Sequence, residues 1–251
     1  LDATSAMILA CLSIWGPAIG QMFVLNRRLH TRIERGPKTY DVSLWLRTAL
    51  PILAAEGFFL MLAHADVLML QQFRPPEDVA VYYAAAKTLA LVSFIHFAIA
   101  ATTAHRFSSY NAAGDHEGLA IFIRQAIRWT FWPSLVACAL LLAAGQPLLR
   151  LFGPDFTGGY HLMFILAIGL LARAAVGPME RCLNVLGQQR LSAFACATAF
   201  AVNIGLCFLL IPKLGATGAA IATAAALLTE SVALFFIARH QLGIVVWGRR
   251  A

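Results

Sequence analysis

Charge is scarce in this sequence. Of its 251 residues only 12% are Asp, Glu, Lys or Arg, about half the ~25% share of a soluble domain. A deficit of that size removes the solvated faces that helices need in water. Paired cysteines are missing too. Cys11, Cys138, Cys182, Cys196 and Cys207 are scattered through apolar stretches with no CxxC spacing and no His/Cys cluster, so neither a disulfide framework nor a zinc site is supported. They read as small packing residues. No P-loop, no GxSxG elbow and no HExxH occurs, and the acidic residues are spread over different segments. Nothing in the pattern argues for an enzyme, a cofactor, a metal or a catalytic residue.

What the sequence has in quantity is hydrophobic run length. Sixty per cent of the residues are hydrophobic, with a mean hydropathy of +0.75. Seven stretches, 5–25, 42–70, 79–104, 129–149, 160–186, 191–211 and 216–238, are long enough to cross a hydrocarbon core of ~30 Å. In lipid only helices or closed barrels satisfy the backbone. The lengths, and the lack of strict period-two alternation, favour helices. The expected fold is therefore all-α: a polytopic membrane protein of about seven transmembrane helices.

The excess of 19 Lys and Arg over 12 Asp and Glu lies in the connections, where topology accounts for it without nucleic acid. Arg27, Arg28, Arg32, Arg35 and Lys38, then Arg106, Arg124 and Arg128, then Arg190, then Arg239, Arg249 and Arg250 alternate with connections holding only Arg74, Arg150 and Lys213. The rich side is expected in the cytoplasm, with the C-terminus inside and the N-terminus outside. The chain begins at Leu1 with no basic region before its first apolar run, unlike a signal peptide. Both features predict a segment of a longer protein, with an odd number of spans upstream. Gly36-Pro37 marks a break in the first basic connection. Asp115 is placed to cap an interfacial helix over 115–128, with Trp129 and Trp132 at headgroup level.

Several local patterns carry a family likeness. Asp66-Val67-Leu68-Met69-Leu70 followed by Val79-Ala80-Val81-Tyr82-Tyr83-Ala84-Ala85-Ala86-Lys87 resembles a stretch of polysaccharide-export flippases. Arg181-Cys182-Leu183-Asn184-Val185-Leu186-Gly187-Gln188-Gln189-Arg190 is similar to their "LN-x-x-G-x-x-R" turn. Asn203, then Leu210-Ile211-Pro212-Lys213-Leu214-Gly215-Ala216-Thr217-Gly218-Ala219-Ala220-Ile221-Ala222, resembles a third signature. Order and spacing together resemble the C-terminal half of the MOP (multidrug/oligosaccharidyl-lipid/polysaccharide) superfamily, in its O-antigen flippase-like branch. That resemblance implies two six-helix lobes around a central cavity. It makes 1–41 the last N-lobe helix with its basic cytoplasmic linker, and 42–251 a six-helix C-lobe with its tail. It implies a multi-pass protein of the inner membrane that flips a polyprenyl-pyrophosphate-linked oligosaccharide. Its partners would be membrane lipids, the missing N-terminal lobe, and a polysaccharide polymerase and glycosyltransferases. A drug/cation antiporter of the same superfamily is the alternative, and would want an acidic cavity.

Charges inside spans cost ~2.5–3.5 kcal/mol each on insertion scales and are informative for that reason. Gly169, Arg173, Gly177, Glu180 and Asn184 fall near one face of the fifth span, and Pro178 is expected to kink it. Arg173, Glu180 and Asn184 are thus candidates to line a cavity. The competing reading is an Arg173–Glu180 pair that only locks helices, with Arg181 snorkelling to the cytoplasm. Lys87 is the second candidate cation for a pyrophosphate; snorkelling to lipid phosphate is open to it as well. Glu56, with His64 two turns on, is a candidate site for a coupling ion, as is Asp66; helix-to-helix hydrogen bonding and an Asp66–Lys87 pair are the plainer fates. Glu230 shares its span with the small face of Gly215, Gly218, Ala219, Ala222 and Ala226 and is expected to belong to packing. His96 is expected to be a hydrogen-bonded structural residue.

Overall fold

A computed structural model describes residues 3–32 and 40–241. The chain divides into two units, Leu1–Ser43 and Leu44–Ala251. The first contains one long helix, α1 (Ala3–Arg32), with Pro17 inside it and an apolar stretch over Met7–Leu29.

The second unit is entirely helical among the described residues. All but the first two residues of α2 (Val42–Phe73) belong to it; the helix has 32 residues and spans about 48 Å at ~1.5 Å per residue. Its buried positions, Ala55, Leu62, Ala65, Asp66 and Leu70, recur three, four and seven apart, which makes one stripe along the helix. The opposite face carries Leu53, Leu60, Met61 and Leu68, all exposed. Lipid is the solvent that suits such a face.

The third hydrophobic stretch is not one helix. It consists of α3 (Pro76–Ala90) and α4 (Ser93–Ala112), bent by 41° to one another. No proline sits at the bend. The Thr88 hydroxyl instead donates to the Ala84 carbonyl at 2.7 Å, a back-bond that bends helices. The next turn tightens into i→i+3 bonds from Val92 to Leu89, Phe94 to Leu91 and Ile95 to Val92.

Helix α5 (His116–Ala143) runs unbroken from the interfacial segment into the span. Asp115 caps it, accepting from the Gly118 N–H at 2.8 Å. The span also ends earlier than the hydropathy suggests. After Ala144 the chain turns into the short α6 (Gly145–Arg150) and a 3₁₀ segment (Pro154–Gly159).

Next come α7 (Tyr160–Val176) and α8 (Met179–Val185). Gly177 separates them with φ +58°, and a Cβ there would lie 2.9 Å from the Ile127 Cα of α5. Both backbone and neighbour demand glycine. Pro178 follows and removes the next donor. The fifth span is therefore broken, and residues 169–184 do not share one continuous helical face.

The last two helices, α9 (Gln189–Leu214) and α10 (Ala216–Gln241), form a hairpin around Gly215. Ala219, Ala222 and Ala226 are completely buried, and a Cβ on Gly218 would meet the Leu210 backbone at 2.6 Å. The small-residue face is what lets the two helices close on each other. Gly169 plays the same part between α7 and α10, since its Cβ would fall 2.8 Å from the Ala224 Cα. It packs against a helix and does not face a cavity.

Among the described residues six helical stretches are long and apolar enough to cross a membrane, and the bent α3–α4 pair makes a seventh. The protein is an all-helical polytopic membrane protein. Two apolar clusters fill the second unit. One joins Leu70, Tyr82, Leu89, Leu149, Met163 and Ile211 at the α2–α3 end. The other joins Phe107, Ile127, Met179, Leu183 and Leu234 towards the α8 end. Between them lies a layer holding a third, smaller cluster, Leu62, Ala199, Ala226 and Leu227. The intramembrane polar residues gather in that layer.

Candidate functional site

The layer opens into a cleft of about 160 Å³ walled by α2, α3, α7 and α10. Phe59, Asp66, Tyr83, Lys87, Arg173 and Thr223 are among its lining residues. It thus brings together three residues singled out by their charge, Asp66, Lys87 and Arg173, from three different helices.

Asp66 is 5% exposed and its carboxylate is well supplied with donors. The Val67 N–H reaches Oδ1 at 2.7 Å, the Tyr82 hydroxyl donates to Oδ2, and the Thr223 hydroxyl donates to Oδ2 at 3.0 Å. Asn203 on α9 continues the network, its Nδ2 donating to Thr223 Oγ1 at 3.4 Å. Three helices meet at the carboxylate, and α9 joins them through Thr223. The expected Asp66–Lys87 ion pair is not formed. Tyr82, which stands opposite Asp66, takes the place a cation would fill, and Lys87 lies more than a turn farther along α3. Its ammonium sits 5.2 Å from the centroid of the Tyr83 ring. Among the described residues no carboxylate is within ion-pair distance of Lys87.

Arg173 is held on three sides. Its guanidinium carbon lies 4.2 Å from the Phe59 ring centroid, a cation–π contact across to α2. Its Nη2 is 3.5 Å from Glu180 Oε2 and 3.7 Å from Glu230 Oε1. The Arg173–Glu180 pair expected from spacing is present, but it forms across the Gly177 break and not along a helical face. Glu230 corrects the sequence reading. It is 1% exposed and, instead of belonging only to the packing face, aims at Arg173. Cys196 donates its thiol to Oε1 at 3.9 Å, and Oε2 has no hydrogen-bond partner among the described residues. One guanidinium therefore serves two buried carboxylates through long contacts.

Glu56 and Arg181 bind each other at 2.8 Å. Arg181, expected to point to the cytoplasm, is instead paired across to α2, and both side chains remain partly exposed. Glu56 does not join His64 either: His64 lines a separate apolar groove with Leu60, Leu68 and Phe200. Asn184 lies on α8 outside the cleft lining, and neither of its amide heavy atoms finds a partner among the described residues. His96 has a buried, unpartnered Nδ1 and lines a cavity of about 20 Å³ beside Arg173, Ser93 and Ser134. The hydrogen bond expected for it is not made by Nδ1.

Phe59, Tyr82, Thr223 and Glu230 belong to the site without having been proposed for it. An aromatic or a threonine in a span looks like packing in one dimension, and only the neighbour across the bundle reveals otherwise. Tyr82 and Asn203 carried a signal, since both lie within the family-like motifs.

A protein-family model described as MatE matches residues 51–209, more than half of the chain. The match takes in Glu56, Asp66, Lys87, Arg173, Glu180, Asn184 and Asn203, and stops before Thr223 and Glu230. No curated protein matches the chain, and no solved structure matches it.

Proposed function

The chain belongs to the MatE family, whose members are membrane transporters of the MOP superfamily, and from that premise we propose that it forms one lobe of a flippase for polyprenyl-pyrophosphate-linked oligosaccharide. The observation that supports this reading best is the meeting of Lys87 and Arg173 in one cleft. Diphosphate oxygens accept hydrogen bonds from ammonium and guanidinium groups, and charge-assisted bonds of that kind are the strong ones. The lipid tail stays in the bilayer while a second, N-terminal lobe closes the other side of the path. Rocking of the lobes then opens the cleft to each face in turn.

Each polar residue has a part in this scheme. Lys87 lacks a carboxylate partner among the described residues and offers its ammonium to the head group. Arg173 is loosely shared by Glu180 and Glu230, so a diphosphate competes for its N–H groups with carboxylates already 3.5 and 3.7 Å away. Glu180 positions Arg173, and the open amide of Asn184 offers a polar contact towards the α8 end. Coupling to an ion falls to Asp66, because Glu56 is engaged by Arg181. No bond is made or broken, and no residue acts as a catalyst. The setting is an inner membrane with the C-terminus in the cytoplasm, and the partners are a polysaccharide polymerase and glycosyltransferases.

One observation favours a drug/cation antiporter: the Asp66 carboxylate lines the same, largely apolar cleft. Transport by cells expressing the protein separates the two. Lys87→Gln and Arg173→Gln, singly and together, should cut export of lipid-linked oligosaccharide at least tenfold in the double variant and leave efflux of a cationic dye untouched. Full export by the double variant would reject the flippase reading. Dye efflux lost in Asp66→Asn with oligosaccharide export intact would install the antiporter in its place.

A further inference from the structure

Beyond the cleft, at the α2–α3 end of the bundle, lies a second, wider cavity of about 480 Å³. Gln71, Arg74 and Tyr83 supply its polar lining, and it shares Val67 and Tyr83 with the cleft. The two spaces therefore meet along those two side chains. We propose that Arg74, with Gln71 and Tyr83, forms a second station for the anionic sugar-diphosphate head group, at the mouth of the path that begins at Arg173. This deepens the flippase reading and rests on it.

Arg74 is the charged group of this station, and its surroundings leave it available. Its Nε is buried with no hydrogen-bond partner among the described residues. Its Nη2 makes one long bond, to the Pro212 carbonyl at 3.4 Å. Glu77 and Asp78 lie just beyond it in sequence, yet among the described residues neither forms an ion pair with it. Arg173 and Arg181, by contrast, each have carboxylates within 4 Å. The guanidinium is also fixed in place. It lies against Gly215, where a Cβ would approach Nε to 3.1 Å and Cζ to 3.3 Å. Gly215 has φ +59°, so both the turn and the arginine resting on it call for glycine.

Capping the end of α9 is the ordinary explanation for an arginine at this place, since a cation suits a helix C-terminus. The bond to Pro212 fits that role and occupies one of the five guanidinium N–H groups. It does not explain the cavity that Arg74 lines. Tyr83 is 48% exposed and offers a ring face and a hydroxyl, which suit a sugar. Gln71 offers a donor and an acceptor from the turn of α2 below.

Spacing completes the picture. Arg74, the residue just past the end of α2, and Phe59, the ring beneath Arg173, are fifteen residues apart, about 22 Å at ~1.5 Å per residue. Lys87 lines the cleft between them. Arg74, Lys87 and Arg173 thus form a ladder of cations from the end of the bundle to its middle. Handing an anion from one rung to the next avoids a single deep well from which it would not leave.

Binding of farnesyl diphosphate and of inorganic pyrophosphate to the protein in phosphatidylcholine nanodiscs, measured by titration calorimetry beside ligand-free melting curves, tests the station. Arg74→Gln should weaken farnesyl diphosphate roughly tenfold while lowering the melting temperature only slightly, by what one cap contact contributes, and Gln71→Ala, which leaves the Pro212 bond alone, about threefold with an unchanged melting temperature. The same losses with pyrophosphate assign recognition to the diphosphate itself; losses confined to farnesyl diphosphate assign the station to the lipid-linked form. If Arg74→Gln lowers the melting temperature but not the affinity, Arg74 is only a cap and the station is refuted. Should Arg74→Gln fail to fold, an unchanged affinity in Gln71→Ala refutes it equally. In either case weakening by Lys87→Gln and Arg173→Gln would leave the cleft reading standing. Absence of binding by the unaltered protein would overturn the flippase reading and the station together.

Discussion

Replacing Arg173 by leucine removes the one cation that two buried carboxylates share. Glu180 and Glu230 have side chains 9% and 1% exposed, and both approach the same Nη2, at 3.5 and 3.7 Å. Breaking a buried ion pair costs about 3–5 kcal/mol, mostly because the remaining charge is left uncompensated. These contacts are long, which argues for the lower end. The stacking on Phe59 at 4.2 Å adds about 0.5–2 kcal/mol, and leucine returns part of that through packing. A net loss of roughly 3 kcal/mol follows, equivalent to a melting temperature lower by about 6–12 °C in a chain of this size. Glu180→Gln and Glu230→Gln remove the stranded charges while keeping the shape. The triple variant Arg173→Leu/Glu180→Gln/Glu230→Gln should therefore recover most of the loss, to within about 4 °C of the parent. Thermal unfolding of the detergent-solubilised protein, followed by fluorescence for all four combinations, gives the coupling directly. Arg173→Leu melting with the parent would refute the shared-cation account. A triple variant no better than Arg173→Leu would do the same, and would leave only steric packing to explain the loss.

Two further substitutions probe the surroundings of the cleft. Gly177→Ala places a side chain at φ +58° and 2.9 Å from the Ile127 Cα; it should destabilise by about 1–3 kcal/mol, read as a lower melting temperature, whereas parental melting would show that the α7–α8 break tolerates an L-residue. Tyr82→Phe removes a donor from the Asp66 carboxylate without changing the packing volume much, and should cost about 1–3 kcal/mol. Thr223→Val in the same assay should cost less, since Thr223 is only half-buried whereas Tyr82 is fully buried, and the opposite ranking would reverse the order assigned to the two donors.

Much of the architecture was legible in one dimension because the bilayer imposes a simple rule. A backbone that must satisfy its own hydrogen bonds in hydrocarbon has to be helical for as long as the apolar run lasts, so composition and run length led directly to an all-helical polytopic protein. The Asp115 cap and the small-residue seam of α10 were equally readable, since caps and close-packing glycines and alanines are local chemistry. Breaks inside spans were half visible. Gly177-Pro178 announced itself through residue types, but the α3–α4 bend depends on the Thr88 back-bond and the tightened turn after it, and no proline or glycine marks it.

Pairing was the part the sequence left open. Arg173 and Glu180 were matched by spacing along a helix that turns out to be broken, and they meet for a different reason. Asp66 was offered to Lys87, yet Tyr82 and Thr223 hold it. Glu56 was offered to a coupling ion, and Arg181 holds it. Glu230 looked like a passenger on a packing face and proved to be the second carboxylate of Arg173. The physical reason is one of range. The cost of an apolar or charged residue in lipid is a property of that residue and its near neighbours, and linear order records it. The partner that compensates a buried charge arrives from another helix, 50 residues or more away in several of these pairs, at a height set by bends and crossing geometry. That distance is decided only when the helices pack.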